Sequence, residues 1–151
     1  MEFDFEIKGI KDNDELLNYI KENIDEYSNE MLKLLGESII AEARSNLQNN
    51  TNINSGSLLA SIRILDEDDN TIIIGSDLDY AGYIEYGRGP IHPKDPDGWL
   101  HWIDKSTGKD VFAKFAKATE PMPFMEPAII SQTSKFPDVF ILNFIEELKK
   151  L

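Results

Sequence analysis

His92, His101 and the acidic group Asp77, Asp79 and Glu85 are the residues through which this chain could do chemistry. Carboxylates so close in sequence could hold a hard cation, or divide acid and base roles if one of them had a raised pKa in a cleft. The two histidines stand nine residues apart, which is not the HExxH spacing that projects two ligands from one helical face. His92 falls in a proline-rich loop and His101 in a predicted strand beside Trp99 and Trp102. Ser55 and Ser57 flank Gly56 without forming a GxSxG elbow, and no histidine is near them in sequence. There is no phosphate-binding loop and no dinucleotide fingerprint. The chain has no cysteine, which removes thiol nucleophiles, disulfides and Cys-type zinc sites. The expectation is therefore no catalytic residue, no metal and no cofactor. A metal-dependent hydrolase using Asp77, Asp79, Glu85 and a histidine is the enzymatic alternative.

Charge narrows the partners. With 28 acidic residues against 15 basic ones, the net charge is −13, and no dense basic run interrupts the acid excess. Nucleic-acid binding draws on clustered Lys and Arg to displace counterions from phosphates, so sequence-specific nucleic-acid recognition is not expected. The same charge keeps a protein soluble through self-repulsion, or lets DNA pass a surface without adhering. No stretch approaches the ~20 apolar residues of a membrane span, and MEFDFEIKG is not a signal peptide. At 151 residues, the chain reads as one domain, 1–151.

The elements that must position these residues follow from periodicity. Phe3, Phe5 and Ile7 alternate with Glu2, Asp4, Glu6 and Lys8, predicting a half-buried strand. Asp12 with Glu15 has the form of a capping box. From there Leu16, Ile20, Ile24, Tyr27, Met31, Leu35, Ile39, Ala43 and Leu47 recur at steps of three or four, one face of a long helix. Gly36 within it predicts a kink or a close packing contact. Leu58–Leu65 reads as a short turn or helix leading into a strand. Asp66–Asn70 is then a turn and Thr71–Ser76 a β-branched strand, giving a hairpin. Trp99–Asp104 and Val111–Ala118 predict two further strands around a turn at Ser106–Lys109. The carboxyl end is helical, with Pro137 either kinking that helix or opening a second one. The fold class expected is α+β, with long N-terminal and C-terminal helices packed on a small, mostly antiparallel, curved β-sheet.

The densest stretch is DYAGYIEYG, Asp79–Gly87, read as a sheet segment with aromatic residues on both faces. Such faces are covered either by loops of the same chain or by a neighbouring subunit, where Tyr and Phe are enriched. The candidate interface residues are Tyr83, Tyr86, Arg88, Trp99, Trp102 and Phe124, with Arg88 suited to a carboxylate on the next subunit.

Four motifs then occur in order: FEIKGIKDNDELLNYI; Ser55-Gly56-Ser57-Leu58 with Ser61-Ile62; the Tyr80–Gly87 core; and PMPFMEPA, Pro121–Ala128. In this the chain resembles the small neck, or head–tail joining, proteins of long-tailed bacteriophages, also labelled tail components of the tail-completion type. Ser55 stands where that pattern more often has Thr, and Arg88 where it has a small polar residue. The resemblance implies a structural virion or prophage protein at the head–tail interface, present in the host cytoplasm during assembly. It also implies ring-type homo-oligomers, contact with neighbouring head-completion or tail proteins, no membrane partner, and at most repulsive contact with DNA in transit. A cytoplasmic interaction module unrelated to virions is the remaining alternative.

Overall fold

The computed structural model describes residues 13–50, 56–104 and 106–149. The expected strand at residues 2–8 and the capping residue Asp12 lie outside them. Helix α1 spans Asn13–Asn49, α2 Gly56–Ser61, β1 Arg63–Asp68 and β2 Thr71–Gly75. There follow α3, Ala81–Tyr86; β3, Leu100–Ile103; β4, Asp110–Ala113; and α4, Met125–Leu148. The class is α+β. The strands form two separate two-stranded antiparallel sheets, β1–β2 and β3–β4, where one curved sheet was expected. The residues group into two compact units: Leu78–Phe124, and Met1–Asp77 together with Met125–Leu151.

In the larger unit, all nine apolar positions from Leu16 to Leu47 are at least partly withdrawn from solvent, and Met31, Ile39, Ala43 and Leu47 are buried. The helical period alone therefore identified the packing face of α1. Helix α4 runs antiparallel to it. Tyr27 of α1 meets the Phe140 and Phe144 rings at centroid distances of 5.2 and 5.1 Å, and Glu42, further along α1, accepts a hydrogen bond from Gln132. Tilted and edge-on ring pairs of this kind add about 0.5–1.5 kcal/mol each beyond their buried area. The Tyr27 hydroxyl donates to the Phe140 carbonyl at 3.2 Å. Burial pushes its pKa up, assisted by the nearby Glu147 and Glu30 carboxylates. Pro137 lies inside α4 and no second helix begins there, so the helix passes through it with one amide hydrogen bond fewer.

The β1–β2 hairpin packs on α1 at Gly36. A Cβ at Gly36 would meet Ile72 Cγ2 at 3.4 Å and Ile74 Cδ1 at 3.5 Å, so the predicted close contact is present. The hairpin turns at Asp69-Asn70, where Asn70 takes φ 86°. Asn tolerates that left-handed region better than most residues. A register shift between Ile64 and Asp66 leaves Leu65 unpaired. At the foot of the hairpin, Leu58 and Ile62 are fully buried, Arg44 Nη2 donates to the Ile62 carbonyl at 2.8 Å, and the Ser61 and Ser76 hydroxyls bond at 2.7 Å.

Two outcomes follow for this unit. Gly36→Ala places its methyl at ordinary van der Waals distance and removes a helix-interior glycine. It should raise unfolding free energy by up to about 1 kcal/mol in urea titrations. Glu42 is held below the ordinary carboxylate range by hydrogen bonds from Gln132 and then Ser131. Its contribution is therefore present above the ordinary carboxylate pKa and disappears as pH falls through the depressed value. Glu42→Gln should melt earlier than the parent chain near neutral pH, and the two melting curves should converge in acid.

Candidate assembly surface

The stretch read as a sheet segment is helix α3. Ala81 N–H donates to Leu78 O at 2.9 Å, and Tyr83 and Ile84 N–H both donate to Tyr80 O, at 3.1 and 3.2 Å. The burial period explains the correction. Ala81 and Glu85, four apart, are buried with Ile84 half-buried between them, whereas Tyr83 and Tyr86, three apart, are 57% and 75% exposed. Three- and four-residue spacing is helical spacing, and the tyrosine-rich composition concealed it.

Glu85 is the one buried charged residue among those described, and it accepts the Phe124 backbone N–H at 2.8 Å. Two residues later Gly87 ends the helix at φ 71°, ψ −179°, a conformation essentially restricted to glycine. A Cβ there would fall 2.5 Å from the Thr119 carbonyl oxygen and 2.9 Å from Pro121 N. Met122 N–H donates to Ile84 O at 2.8 Å, and Arg88 and Thr119 exchange backbone bonds at 3.0 and 2.9 Å. The Tyr80–Gly87 and Pro121–Phe124 motifs, far apart in sequence, thus hold each other through backbone contacts.

From this clamp the chain runs through the proline-rich loop to the β3–β4 hairpin. Ile91 and Ala116 pair by two backbone bonds of 2.9 Å, and Gly98 N–H closes a turn on Asp95 O at 2.9 Å. Lys114 Nζ donates to the Asp97 and Gly98 carbonyls and lies 4.6 Å from the centre of the Trp99 ring. The loop's role is therefore in part to seat Trp99 against β4. Asp104 organises the hairpin turn. Its carboxylate takes the Ser106 N–H at 2.8 Å and hydroxyl at 2.6 Å, which holds its pKa down, and Gly108 adopts φ 68°.

His101 lies opposite Phe112 in the hairpin, stacked at 4.5 Å, and Nε2 bonds Asp110 Oδ1 at 2.6 Å. His92 stacks on Phe115 at 6.1 Å. Asp77 is ion-paired with Arg63 at 3.0 Å, and this bond lowers its pKa. His92, His101, Asp77 and Glu85 thus each have a structural contact of their own. Among the described residues no three His, Asp or Glu side chains are placed to hold a metal, and no helix is long and apolar enough to cross a membrane.

Of the candidate interface residues, Tyr83, Tyr86, Trp99 and Trp102 are exposed. Arg88 is partly exposed, with Nη1 3.5 Å from the Gly89 carbonyl, and Phe124 is 3% exposed. Sequence reasoning passed over Ile103 and Phe112, which are 61% and 63% exposed. The signal for them was the hairpin's own alternation, which puts apolar side chains on both faces.

Residues 13–87 match a family model described as "HK97-gp10_like: Bacteriophage HK97-gp10, putative tail-component". Over these residues the chain is similar to the HK97-gp10-like tail components. The matched span starts with α1 and ends at Gly87, the residue that terminates α3. The HK97-gp10-like match thus takes in the Ser-Gly-Ser-Leu and Tyr80–Gly87 motifs, and Pro121–Ala128 lies beyond it. No curated protein and no solved structure gives a significant match.

The clamp has a direct test. Glu85→Ala strands a buried N–H and should cost about 1–3 kcal/mol in thermal or chemical unfolding. Gly87→Ala adds backbone strain and a clash with a carbonyl, and should cost at least as much. Tyr86→Ala, on the exposed face, should stay within about 0.5 kcal/mol of the parent.

Proposed function

We propose that the chain acts as one head–tail joining domain: a non-catalytic structural protein of a phage or prophage that completes the tail or neck by ring-type self-assembly. The family-model match over residues 13–87 supports the coarser part, a tail component of the virion. The observation that carries the finer part is the solvent-facing aromatic set of the smaller unit, Tyr83, Tyr86, Trp99 and Trp102. Exposed aromatics are costly to leave in water and are frequent energetic anchors in interfaces. A stable contact of standard size buries about 1,200–2,000 Å² in total. The partners in this reading are further copies of the chain and the adjoining head-completion or tail proteins. Its place is the head–tail interface, with the host cytoplasm as the site of assembly. Acidic side chains facing a central passage let DNA cross without adhering.

The test is complementation in the phage or prophage that encodes the chain. Deletion should yield filled heads and free tails under the electron microscope, and the intact gene should restore joined particles. A Tyr83→Ala/Tyr86→Ala/Trp102→Ala variant should fail to restore them, since anchor truncations cost about 2 kcal/mol or more each. Normal joined particles from the deletion would overturn the reading.

A further inference from the structure

Neither face of the β3–β4 hairpin is fully covered: Leu100, Val111 and Ala113 are half-buried and the remaining strand residues are exposed. Its register places Leu100, Trp102, Val111 and Ala113 on one side and His101, Ile103, Asp110 and Phe112 on the other. Trp102, Ile103 and Phe112 are all exposed. A two-stranded sheet is marginal in water without something packed on it, and contiguous exposed apolar surface marks an interaction site.

Charge says what kind of surface covers it. Residues 99–118 carry four lysines, Lys105, Lys109, Lys114 and Lys117, against Asp104 and Asp110. Outside Leu78–Phe124 the chain has 21 acidic residues and nine basic ones, so nearly all the −13 belongs to the larger unit. Its acidic groups concentrate along α1 and the β1–β2 turn, where Asp25, Glu26, Glu30, Glu67 and Asp69 border one open hollow. The lysine on that hollow, Lys33, is already paired with Glu67 at 3.1 Å. Apolar side chains framed by lysines fit an acidic protein surface. They do not form the continuous basic stripe that a nucleic-acid backbone requires.

We propose that the hairpin of one copy docks on the acidic α1 face of the larger unit of a second copy. Ile103 and Phe112, which share one face of the hairpin, form the buried centre, and Lys109 and Lys117 face Glu26 and Glu30 at the rim. The hairpin and the acidic α1 face are different patches of the chain, so the contact joins unlike surfaces. Such contacts are heterologous, and repetition closes a ring where the rotation allows it. The inference rests on the proposed self-assembly and names the two surfaces that perform it.

Zero-length carbodiimide crosslinking of equal parts heavy-isotope-labelled and unlabelled chain, at the highest soluble concentration, tests it. Mixed-isotope links from Lys109 or Lys117 to Glu26 or Glu30 are expected. Lys109→Glu/Lys117→Glu should weaken self-association by about tenfold or more. Glu26→Lys/Glu30→Lys should do the same, and the two sets combined in one chain should restore it. Phe112→Ala should weaken association with no change of charge. A chain that stays monomeric, links confined within one isotope, or no rescue by the combined set overturns the contact. Joined particles produced normally by Lys109→Glu/Lys117→Glu would sink the contact and leave the head–tail role standing, which the gene deletion tests separately.

Discussion

The Glu85 carboxylate, withdrawn from water and accepting the Phe124 N–H at 2.8 Å, is the constraint on which the smaller unit depends. A buried carboxylate is tolerable only where its oxygens are satisfied. The bond therefore requires α3 and the Pro121–Phe124 segment to approach within hydrogen-bond distance. Gly87 permits that approach, because any side chain at its position would meet the Thr119 carbonyl. With the helix end and the proline segment fixed, residues 88–91 are brought alongside 116–119. The β3–β4 hairpin then emerges from a defined base. A carboxylate that by composition alone could have served catalysis serves architecture.

The larger unit is built on a different principle. It relies on a long apolar stripe, an aromatic cluster between two antiparallel helices, and a small hairpin laid over a glycine. Its polar contacts, such as Arg44 on the Ile62 carbonyl and Glu42 with Gln132, fix register at points where apolar packing alone would let helices slide. The acid excess of the chain accumulates on this unit because its helices expose their polar faces, while the smaller unit spends its surface on aromatic and lysine side chains.

The legible parts of the sequence were those in which one residue type repeats with one period. The packing face of α1 was visible this way, while the β1–β2 and β3–β4 turns and the close contact at Gly36 were legible from their own turn and glycine residues. The error at Tyr80–Gly87 arose where composition and period disagreed. Tyrosine and isoleucine favour strands, but Ala81 and Glu85 had the spacing of a helical turn, and the partner that selected the helix lay 39 residues away from Glu85 at Phe124. No local pattern encodes such a long-range donor. Phe124 was placed among the surface candidates for the same reason, since an aromatic between prolines looks alike whether it is buried or exposed. The division of the strands into two sheets was also hidden, because pairing partners are a property of topology.

The four lysines of the β3–β4 region also bear on the time before the chain meets a partner. A two-stranded sheet has no interior strand, so both of its strands are edges, and exposed apolar edges invite indiscriminate strand-to-strand growth. Lys105, Lys109, Lys114 and Lys117 follow β3 and flank β4 at intervals of three to five residues, too closely for an uncharged window long enough to seed a fibril to run from the turn through β4. The hairpin can therefore wait as a newly made, unassembled chain, protected from coagulation by the same cations that bias it toward an acidic surface.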